Sequence, residues 1–377
     1  MLRQIGGSIS RIRTSIANAV SPMRRTLPQG HARCIAREDE HPSDPKVTTR
    51  GARVMATMKA VRIHRYGGPE VLRIETVDRP SPGRGDILVR VIAAGVNPVD
   101  WKVRAGHMQA AVPVKFPWIP GGDFSGIVEE VGPSVRGVKP GDAVYGKADL
   151  PADGSYAEYV TVPRAHVAAK PHTLDHVHAA AVPLAAMTAW QALFGGTGSP
   201  SLELMPGQTL LVIGATGGIG SFSVPLAVAR GAKVIGVVRR SRESSEKAAY
   251  VRSLGASDVV DVEGMSAYDG IDAVLDLVGG EVQARAWAVL KDGGAMASTM
   301  GEPSDDEARQ RGARGLAIWT QTSGSQLEEI AGLIDLRNIP VHADEVMRLE
   351  DVKKAHERLE HGGVRGKIVL RVAREPG

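Results

Sequence analysis

The sequence predicts an α/β protein in which a β-rich unit precedes a doubly wound parallel sheet. Three observations support this fold class. The chain has 377 residues, 43% hydrophobic and 23% charged, which is enough for two or three domains. Short strand-like segments bounded by glycine and proline continue to about residue 171. From Gly207 onward, continuous apolar strands alternate with amphipathic helices, as in a parallel sheet covered on both faces.

Residues 1–57 carry the positive charge of the chain and are interpreted as a disordered leader. They hold ten of the 46 basic residues and four of the 42 acidic ones, so the rest is close to neutral. Apolar residues recur at spacings of three and four up to Val20, and no acid precedes Glu38, as in organelle presequences. The alternative is a functionless extension before a start at Met55 or Met58. We therefore expect a cytoplasmic protein, or a mitochondrial matrix protein if residues 1–57 are a presequence.

Composition excludes several classes of protein. A single cysteine, Cys34, can form neither an internal disulfide nor a four-cysteine zinc site. No apolar run reaches the roughly 18 residues of a membrane-spanning helix. The near-neutral body also lacks a stripe of basic and aromatic residues. We therefore expect neither nucleic acid nor a membrane as a partner.

The β-rich unit should begin near Lys59. Its predicted strands, each bounded by Gly or Pro, are KAVRIHRYG, VLRIETVDRP, DILVRVIAAGV, GIVEEVG, DAVYG and YAEYVTVP. A helix is expected after a cap at Thr173, and Pro183 should break or kink that helix.

The α/β unit should follow from Gly207. The predicted elements are, in order, the strand TLLVIG, a helix to Arg230, AKVIGVV, a helix over 244–254, and the strands DVVDV, DAVLDLVG, GGAMAST and GLAIWTQ. After Ser325 we expect helices at 326–337 and 351–361 and a last strand, KIVLRV.

A GxxGxxG pattern formed by Gly214, Gly217 and Gly220 separates the first α/β strand from its helix. Glycines there allow a tight turn and let backbone N–H groups approach a pyrophosphate at the helix N-terminus. The strand–helix–strand context predicts a dinucleotide site, the alternative being a turn that only packs. The next strand ends in Arg239 and Arg240 instead of an acid. Cations there favour a 2′-phosphate and hence NADPH, unless both are solvated surface charges.

Six motifs follow one another along the chain: AAGVNPVDWKVRAG (93–106), PGGDFSGIVEEVGPSV (120–135), GDAVYG (141–146), GSYAEYVTVP (154–163), the GATGGIG turn and RGKIVL (365–370). Together they resemble the medium-chain dehydrogenase/reductase superfamily, and within it the zinc-independent NADPH:quinone oxidoreductases of the zeta-crystallin type, over residues 58–377. The resemblance implies a GroES-like catalytic domain at 58–183 and a Rossmann NADPH-binding domain at 184–322. A return segment at 323–377 would complete the first domain, with the active site between the two.

The resemblance also implies which residues bind NADPH. The matching positions are Thr188, Gly214, Gly217, Gly218, Ile219, Gly220, Arg239, Arg240, Lys247, Val278, Gly279, Thr299, Met300, Gly301 and Lys367. An insertion at RRSRESSEK leaves the 2′-phosphate ligand open. Asn97, the candidate catalytic residue, would face the nicotinamide or cap the helix that begins NPVD. For Arg104 and Lys367, a salt bridge is the alternative to substrate contact.

Metal chemistry is not implied by the resemblance. Zinc enzymes of the superfamily have a Cys at the position of Asn97 and a His-Glu pair at Gly122-Asp123, and neither Asn97 nor Gly122 can replace those ligands. The segment GKADLPADG likewise lacks the four structural cysteines. His172, His176 and His178 form the one local metal-like cluster, at a loop-to-helix junction, and we expect no site there.

The expected reaction is hydride transfer from NADPH to a quinone or an activated alkene or enone. That reaction needs no protein nucleophile, and a quinone can take protons from solvent. Related enoyl-thioester reductases usually have a Tyr after the RxG segment, whereas GHMQAAVPVKFP has none, although His107 could donate a proton. The alternatives are an enoyl-thioester reductase and a non-enzymatic NADPH-binding structural or sensor protein. The resemblance further implies a homodimer paired along the edge strand GLAIWTQ.

Overall fold

The computed structural model describes residues 56–196 and 198–375. The predicted leader, with its presequence pattern and expected disorder, lies outside these residues except for its last two. Within the described ranges, no helix is long and apolar enough to cross a membrane. The described part contains a two-stranded, a six-stranded and a seven-stranded sheet, which confirms the predicted α/β class.

The β-rich part is built on one large sheet and a ribbon. In the ribbon, β1 (Thr57–Arg62) pairs antiparallel with β2 (Arg73–Asp78). The strands of the large sheet are β3 (Asp86–Val96), β4 (Asp123–Val131), β5 (Ala143–Lys147), β6 (Tyr159–Pro163), β7 (Val167–Ala169), β14 (Ala343–Arg348) and β15 (Lys367–Arg371). They lie in the order β14-β15-β3-β4-β5-β7, with β6 also paired to β3. The end of the chain thus inserts beside a strand formed near its beginning.

Three helices precede the parallel sheet in the chain. They are α1 (Pro98–Arg104), α2 (His176–Ala180) and α3 (Pro183–Phe194). Pro183 does break the predicted helix, because it begins α3 in the first turn, where proline loses no hydrogen bond. The predicted cap at Thr173 is wrong. Asp175 caps α2 and accepts from the His178 N–H, whereas the Thr173 hydroxyl donates to Asp335.

The parallel sheet has six strands in the order β10-β9-β8-β11-β12-β13. These strands are β8 (Thr209–Ile213), β9 (Lys233–Val237), β10 (Asp258–Val260), β11 (Ile271–Asp276), β12 (Leu290–Ser298) and β13 (Arg314–Ala317). Numbered from the first strand, this is the order 3-2-1-4-5-6 of a Rossmann fold. The order reverses between β8 and β11, and ligands of such sheets bind outside the carboxyl ends of those strands.

Helices cover both faces of this sheet. The remaining helices on this side of the molecule are α4 (Gly220–Ala229), α5 (Ser244–Ser253), α6 (Gly280–Trp287), α7 (Asp305–Gln310) and α8 (Gly324–Arg337). The last helix, α9 (Val352–Glu360), packs instead on α1 and β15 of the β-rich part. Along β8, Leu210 and Val212 enter one apolar core, whereas Leu211 and Ile213 enter the other, so the sheet is doubly wound as predicted. The helices α6 and α7, which precede and follow β12, were not predicted from the sequence.

Candidate active site

The turn between β8 and α4 is built by close backbone packing. Gly214 has a φ of +84°, a conformation that favours glycine. A Cβ on Gly220 would lie 2.4 Å from the carbonyl oxygen of Gly214, so no side chain fits there. The Gly217 N–H donates to the same oxygen across 3.0 Å, and Ile219 is the N-cap residue of α4. The turn therefore presents the N-terminus of a ten-residue helix, a favourable place for a pyrophosphate.

Two further loops meet this turn at the reversal point of the sheet. The loop after β11 contacts it, since a Cβ on Gly214 would lie 3.1 Å from Cγ2 of Val278. The loop after β12 packs on the first loop, where a Cβ on Gly279 would lie 3.0 Å from Cβ of Met300. Val278 and Met300 are 48% and 50% exposed, which is unusual for apolar side chains in this fold. Together with Gly301, which has a φ of +130°, these predicted residues form one cradle.

Asp276, at the end of β11, holds both loops of the cradle and was not singled out from the sequence. Its buried carboxylate accepts hydrogen bonds from four groups: the N–H groups of Val278 (3.0 Å) and Gly279 (2.9 Å), the Gln283 amide (2.7 Å) and the Ser298 hydroxyl (2.8 Å). The Thr299 N–H donates to the Asp276 carbonyl, and the Met300 N–H to the Ser298 hydroxyl. The sequence signal that could have identified Asp276 is an acidic residue at the end of a buried strand, three residues before Gly279.

The candidate 2′-phosphate residues follow β9. Lys247, in the first turns of α5, donates to the Ser241 hydroxyl across 2.9 Å and lies 3.3 Å from the Glu243 carboxylate. Arg240 is already paired with Asp261, its Nη2 lying 2.5 Å from a carboxylate oxygen. Arg239 is exposed and has no ion pair within the part of the chain that the structure describes. The structure thus separates the two arginines that the sequence treated as equivalent.

Thr188 lies on α3 and binds the segment that leaves the parallel sheet. Its side chain is buried; the hydroxyl donates to the Leu184 carbonyl and lies 2.6 Å from the Thr320 hydroxyl. One turn later, the Gln191 amide bonds to both the carbonyl and the N–H of Gln321. α3 therefore fixes the crossing chain between β13 and α8.

Asn97 occupies the N-cap position of α1, and its backbone N–H donates to the Asp100 carboxylate across 2.8 Å. Its side chain is engaged on the other side. The amide Nδ2 donates to Asp123 across 2.9 Å, and Oδ1 accepts from the Lys367 ammonium. The residue thus lies at the N-cap position of α1, with its amide held between a carboxylate and an ammonium.

A buried group of ionisable side chains surrounds Asn97. Asp100, Asp123 and Tyr156 have no exposed surface, and Lys367 is 4% exposed. Burial raises the pKa of Asp100 to about 7, although the hydrogen bonds from Asn97 and Tyr156 oppose that rise. Burial also raises the pKa of Asp123 and lowers that of Lys367, while each of these two groups favours the charged form of the other. These residues are packed in place by β4, β15 and α1.

Lys367 connects this group with the glycine turn. The neighbouring Gly366 N–H donates to the Thr216 carbonyl across 2.9 Å. A Cβ on Gly218 would lie 3.1 Å from Cδ of Lys367, so the lysine stem passes directly beside the turn. Its ammonium continues to the Val96 carbonyl, 3.0 Å away, and to Asn97. The start of β15 thus connects the candidate pyrophosphate site with the candidate catalytic amide of Asn97.

Arg104 has a structural role. It is 1% exposed and donates to the Gly67 carbonyl and, across 2.7 Å, to Glu360 of α9. Burial lowers the pKa of His356 to about 3, so this ring is neutral and its Nδ1, 3.3 Å from the Arg104 guanidinium, can accept from it. The arginine therefore fastens α1 to α9, as the salt-bridge alternative predicts.

The three histidines near α2 point to different partners. Nδ1 of His176 lies 2.8 Å from the Ser125 hydroxyl, and Nδ1 of His178 lies 2.7 Å from Asp175. For His172, the backbone N–H donates to the Asp335 carboxylate across 3.0 Å. Across 56–196 and 198–375, no group of three or more His, Cys, Asp or Glu side chains is arranged to hold a metal ion.

Comparisons with known proteins agree with this architecture. The family profile described as an alcohol dehydrogenase GroES-like domain matches residues 83–172, and the one described as a zinc-binding dehydrogenase matches 254–370. The chain is 32% identical to the mitochondrial NAD(P)H oxidoreductase RTN4IP1 of Homo sapiens, over 88% of this chain and 93% of that protein. It is 31% identical to a quinone oxidoreductase of Mus musculus, over 83% of this chain and 97% of the relative.

Further similarities extend to another enzyme and to a solved structure. The 2-methylene-furan-3-one reductase of Solanum lycopersicum is 32% identical, over 86% of this chain and 81% of that protein. The structure of the quinone oxidoreductase from Coxiella burnetii superposes with a TM-score of 0.74 at 30% identity, covering 84% of this chain and all of the other. The chain therefore belongs to the medium-chain dehydrogenase/reductase superfamily and is a quinone oxidoreductase-like member of it.

Proposed function

We propose that this protein is an NADPH-dependent oxidoreductase that reduces a quinone or an activated alkene without zinc. One observation carries the proposal: Lys367 extends from Gly218 of the glycine turn to the Asn97 amide. A dinucleotide pyrophosphate at the turn would therefore place its nicotinamide half near a buried hydrogen-bonding group. The coarser conclusion, a nicotinamide-dependent oxidoreductase, is supported by relatives named NAD(P)H oxidoreductase and quinone oxidoreductase.

The residues of the cradle fit a nicotinamide dinucleotide. The closely packed glycine turn and the N-terminus of α4 suit the pyrophosphate. The exposed apolar side chains of Val278 and Met300 offer a surface for the ribose and the nicotinamide. When bound, NADPH would supply the hydride, so the protein's own task is to bind, orient and exclude water.

NADPH is favoured over NADH by the charges after β9. Lys247 and Ser241 form a hydrogen-bonded pair, and Arg239 lies exposed close by in the sequence. Arg240 contributes less, because two of its nitrogens contact Asp261 at 2.5 and 2.6 Å, whereas the Lys247 ammonium meets the exposed Glu243 only at 3.3 Å. We therefore assign the 2′-phosphate to Lys247, Ser241 and Arg239.

Zinc does not fit the residues at the corresponding positions. Asn97 offers an amide and Gly122 no side chain, and the Lys367 ammonium lies 3.7 Å from the Asp123 carboxylate. A cation already pairs with the carboxylate, and a divalent metal beside it would be repelled. No step of the proposed reaction therefore uses a metal.

The acceptor class follows from the chemistry that the site offers. Quinones and enones are electron-poor, and reduction by hydride moves negative charge onto an oxygen. The relatives named quinone oxidoreductase and 2-methylene-furan-3-one reductase support both classes. Hydride addition to an enone or to an enoyl thioester also leaves a carbon to be protonated, and the segment GHMQAAVPVKFP lacks the Tyr that similar enoyl-thioester reductases usually have there. His107, the proton donor considered from the sequence, stands edge-on to Trp101 with ring centroids 5.6 Å apart, a packing contact.

Location and assembly remain part of this proposal. Relatives named as mitochondrial support the matrix alternative over the cytoplasm.

β13 lies at one edge of the parallel sheet, where a second copy could extend the sheet into a homodimer. Light scattering of the purified full chain should give twice the monomer mass, and a monomer would refute the dimer.

The proposed activity is tested by a cofactor and acceptor screen. The full chain is mixed with NADPH or NADH and with benzoquinones, cyclic enones or enoyl thioesters, and nicotinamide absorbance is followed. We expect turnover with quinones or enones and a preference for NADPH. If NADPH binds but no acceptor is reduced, the non-enzymatic alternative replaces this proposal.

A further inference from the structure

The Lys367 ammonium is fully engaged inside the protein. It is a donor of three hydrogens and accepts none. Two acceptors are the Val96 carbonyl, at 3.0 Å, and Oδ1 of Asn97, and the Asp123 carboxylate lies 3.7 Å away. The lysine stem lines the glycine turn, but the charged head turns away from it toward the β-rich part.

These partners determine the orientation of the Asn97 amide. An ammonium can only donate, so the atom facing Lys367 must be the amide oxygen. With the amide oxygen on Lys367, the atom that faces the Asp123 oxygen at 2.9 Å is the amide nitrogen, which donates to it. One of the two Nδ2 hydrogens is used in this way, and the second, which has no acceptor among residues 56–196 and 198–375, is left to donate.

The amide is also polarised in one direction. A cation at the oxygen and an anion at the nitrogen shift electron density within the group, and charge-assisted hydrogen bonds in a dry site strengthen one another. Asp123 itself is fixed by the Leu184 N–H at 2.9 Å. Asp100, the other carboxyl group here, binds the Asn97 backbone N–H and the Tyr156 hydroxyl, so it holds the loop and not the amide.

We infer that Lys367 and Asp123 are positioning residues that make the free Nδ2–H of Asn97 the hydrogen-bond donor for the acceptor's oxygen. The inference rests on the proposed function. In the step concerned, the acceptor gains a hydride, with its two electrons, from the reduced nicotinamide, which is oxidised. An electron pair of the acceptor's double bond moves onto its oxygen, where Asn97 stabilises the negative charge. That oxygen then takes a proton from solvent.

The inference differs from a cofactor-binding role for Lys367. A lysine that only bound the dinucleotide would change its affinity, whereas a lysine that acts through Asn97 changes hydride transfer. The variants are Lys367→Met, which keeps the stem, Lys367→Arg, Asn97→Ala and the double variant. Lys354→Met is the matched control, since Lys354 is an exposed lysine on α9 paired with Asp351.

The first measurement is single-turnover hydride transfer, with NADPH affinity and thermal stability measured alongside. We expect Lys367→Met to slow hydride transfer about 100-fold, a typical loss for one oxyanion donor, while NADPH affinity changes less than about threefold. Arginine should restore part of the rate. The double variant should be no slower than Asn97→Ala, because both act through one group. Additive losses, or weakened NADPH binding at an unchanged rate, would overturn the inference.

The second measurement needs no turnover. 4-Nitrophenol is titrated into the NADP⁺-bound protein, and its absorbance reports whether the phenol or the phenolate binds. We expect wild type to prefer the phenolate by at least about tenfold, and Lys367→Met and Asn97→Ala to lose that preference equally. An unchanged preference in Lys367→Met would refute the role of the lysine. If wild type reduces no acceptor yet binds phenolate in this way, the proposed activity fails and the positioning role stands.

Discussion

The Tyr156 hydroxyl donates to the Asp100 carboxylate across 2.8 Å, in a part of the β-rich domain where neither residue has any exposed surface. The same carboxylate oxygen accepts the Asn97 N–H, and the other, Oδ1, is buried without a hydrogen-bond partner in the described part of the chain. A carboxylate so placed is costly to ionise, because desolvation is only partly offset by two donors. The loop that carries the candidate catalytic amide is therefore tied to a group that titrates near neutral pH.

Asp100 should make stability depend on pH. Its pKa is about 7 in the folded protein and 3.8 in the unfolded chain, so between these values the folded state binds more protons. Its contribution is complete below pH 3.8 and is lost as pH rises through about 7, by up to about 4 kcal/mol. The test is urea unfolding at several pH values. The free energy of unfolding of wild type minus that of Asp100→Asn should fall across this range; a flat difference would contradict the expectation.

Removing the Lys247 ammonium should reduce the preference for NADPH. We expect Lys247→Ala to raise the KM for NADPH at least about tenfold, because a charge-assisted contact with the 2′-phosphate is lost, and to leave the KM for NADH almost unchanged. Arg240→Ala is the control, since Arg240 is paired with Asp261, and should change the KM for NADPH less than about threefold. If both substitutions raised the KM for NADPH equally, Arg240 would have to be counted among the ligands of the 2′-phosphate.

A methyl group at Gly220 should disrupt the cofactor turn. The added Cβ would lie 2.4 Å from the Gly214 oxygen, which is backbone and cannot move without opening the turn. We expect Gly220→Ala to lower stability by about 2 kcal/mol or more and to abolish NADPH binding measured by fluorescence. Gly332→Ala is the matched control, because Gly332 lies on α8, away from the turn, and its Cβ would meet nothing within 4 Å. If Gly220→Ala still bound NADPH, the turn would have to accommodate a methyl group beside the Gly214 oxygen, which contradicts the expectation.

Asp276 should act on cofactor binding without touching the cofactor. In Asp276→Asn, one of the two accepting oxygens becomes a nitrogen that can no longer accept. Either the two backbone donors of Val278 and Gly279 or the side-chain donors then lose their partner. We expect NADPH affinity to fall about tenfold by isothermal titration. Ser298→Ala removes the hydroxyl's bonds to Asp276 and to the Met300 N–H but leaves the other three donors of Asp276 in place, so it should cost less.

Local patterns were sufficient for much of this structure, and distant contacts account for what was missed. Strand–helix alternation and the glycine spacing are encoded within about 30 residues, so the parallel sheet and its turn were predictable. The ammonium of Lys367 meets Asn97 across 270 residues, and no periodicity reports such a contact. Asp276 is one acid among 42 until its four donors are seen. Thr173 and Asp175 are both residue types that cap helices, and Asp175 is the N-cap because α2 begins at the next residue, His176.

The position of β15 has a consequence for synthesis of the chain. It lies between β14 and β3, and its residues 368–371 pair with residues 93–96. β6 already pairs with residues 86–90 of β3, but residues 93–96 have no partner on this side while the ribosome is still making the parallel sheet. Exposed strand edges invite pairing with other chains. The β-rich domain, although encoded first, is therefore completed last. A nascent or truncated chain that ends before residue 367 carries an open, apolar strand edge that a chaperone or a protease can recognise.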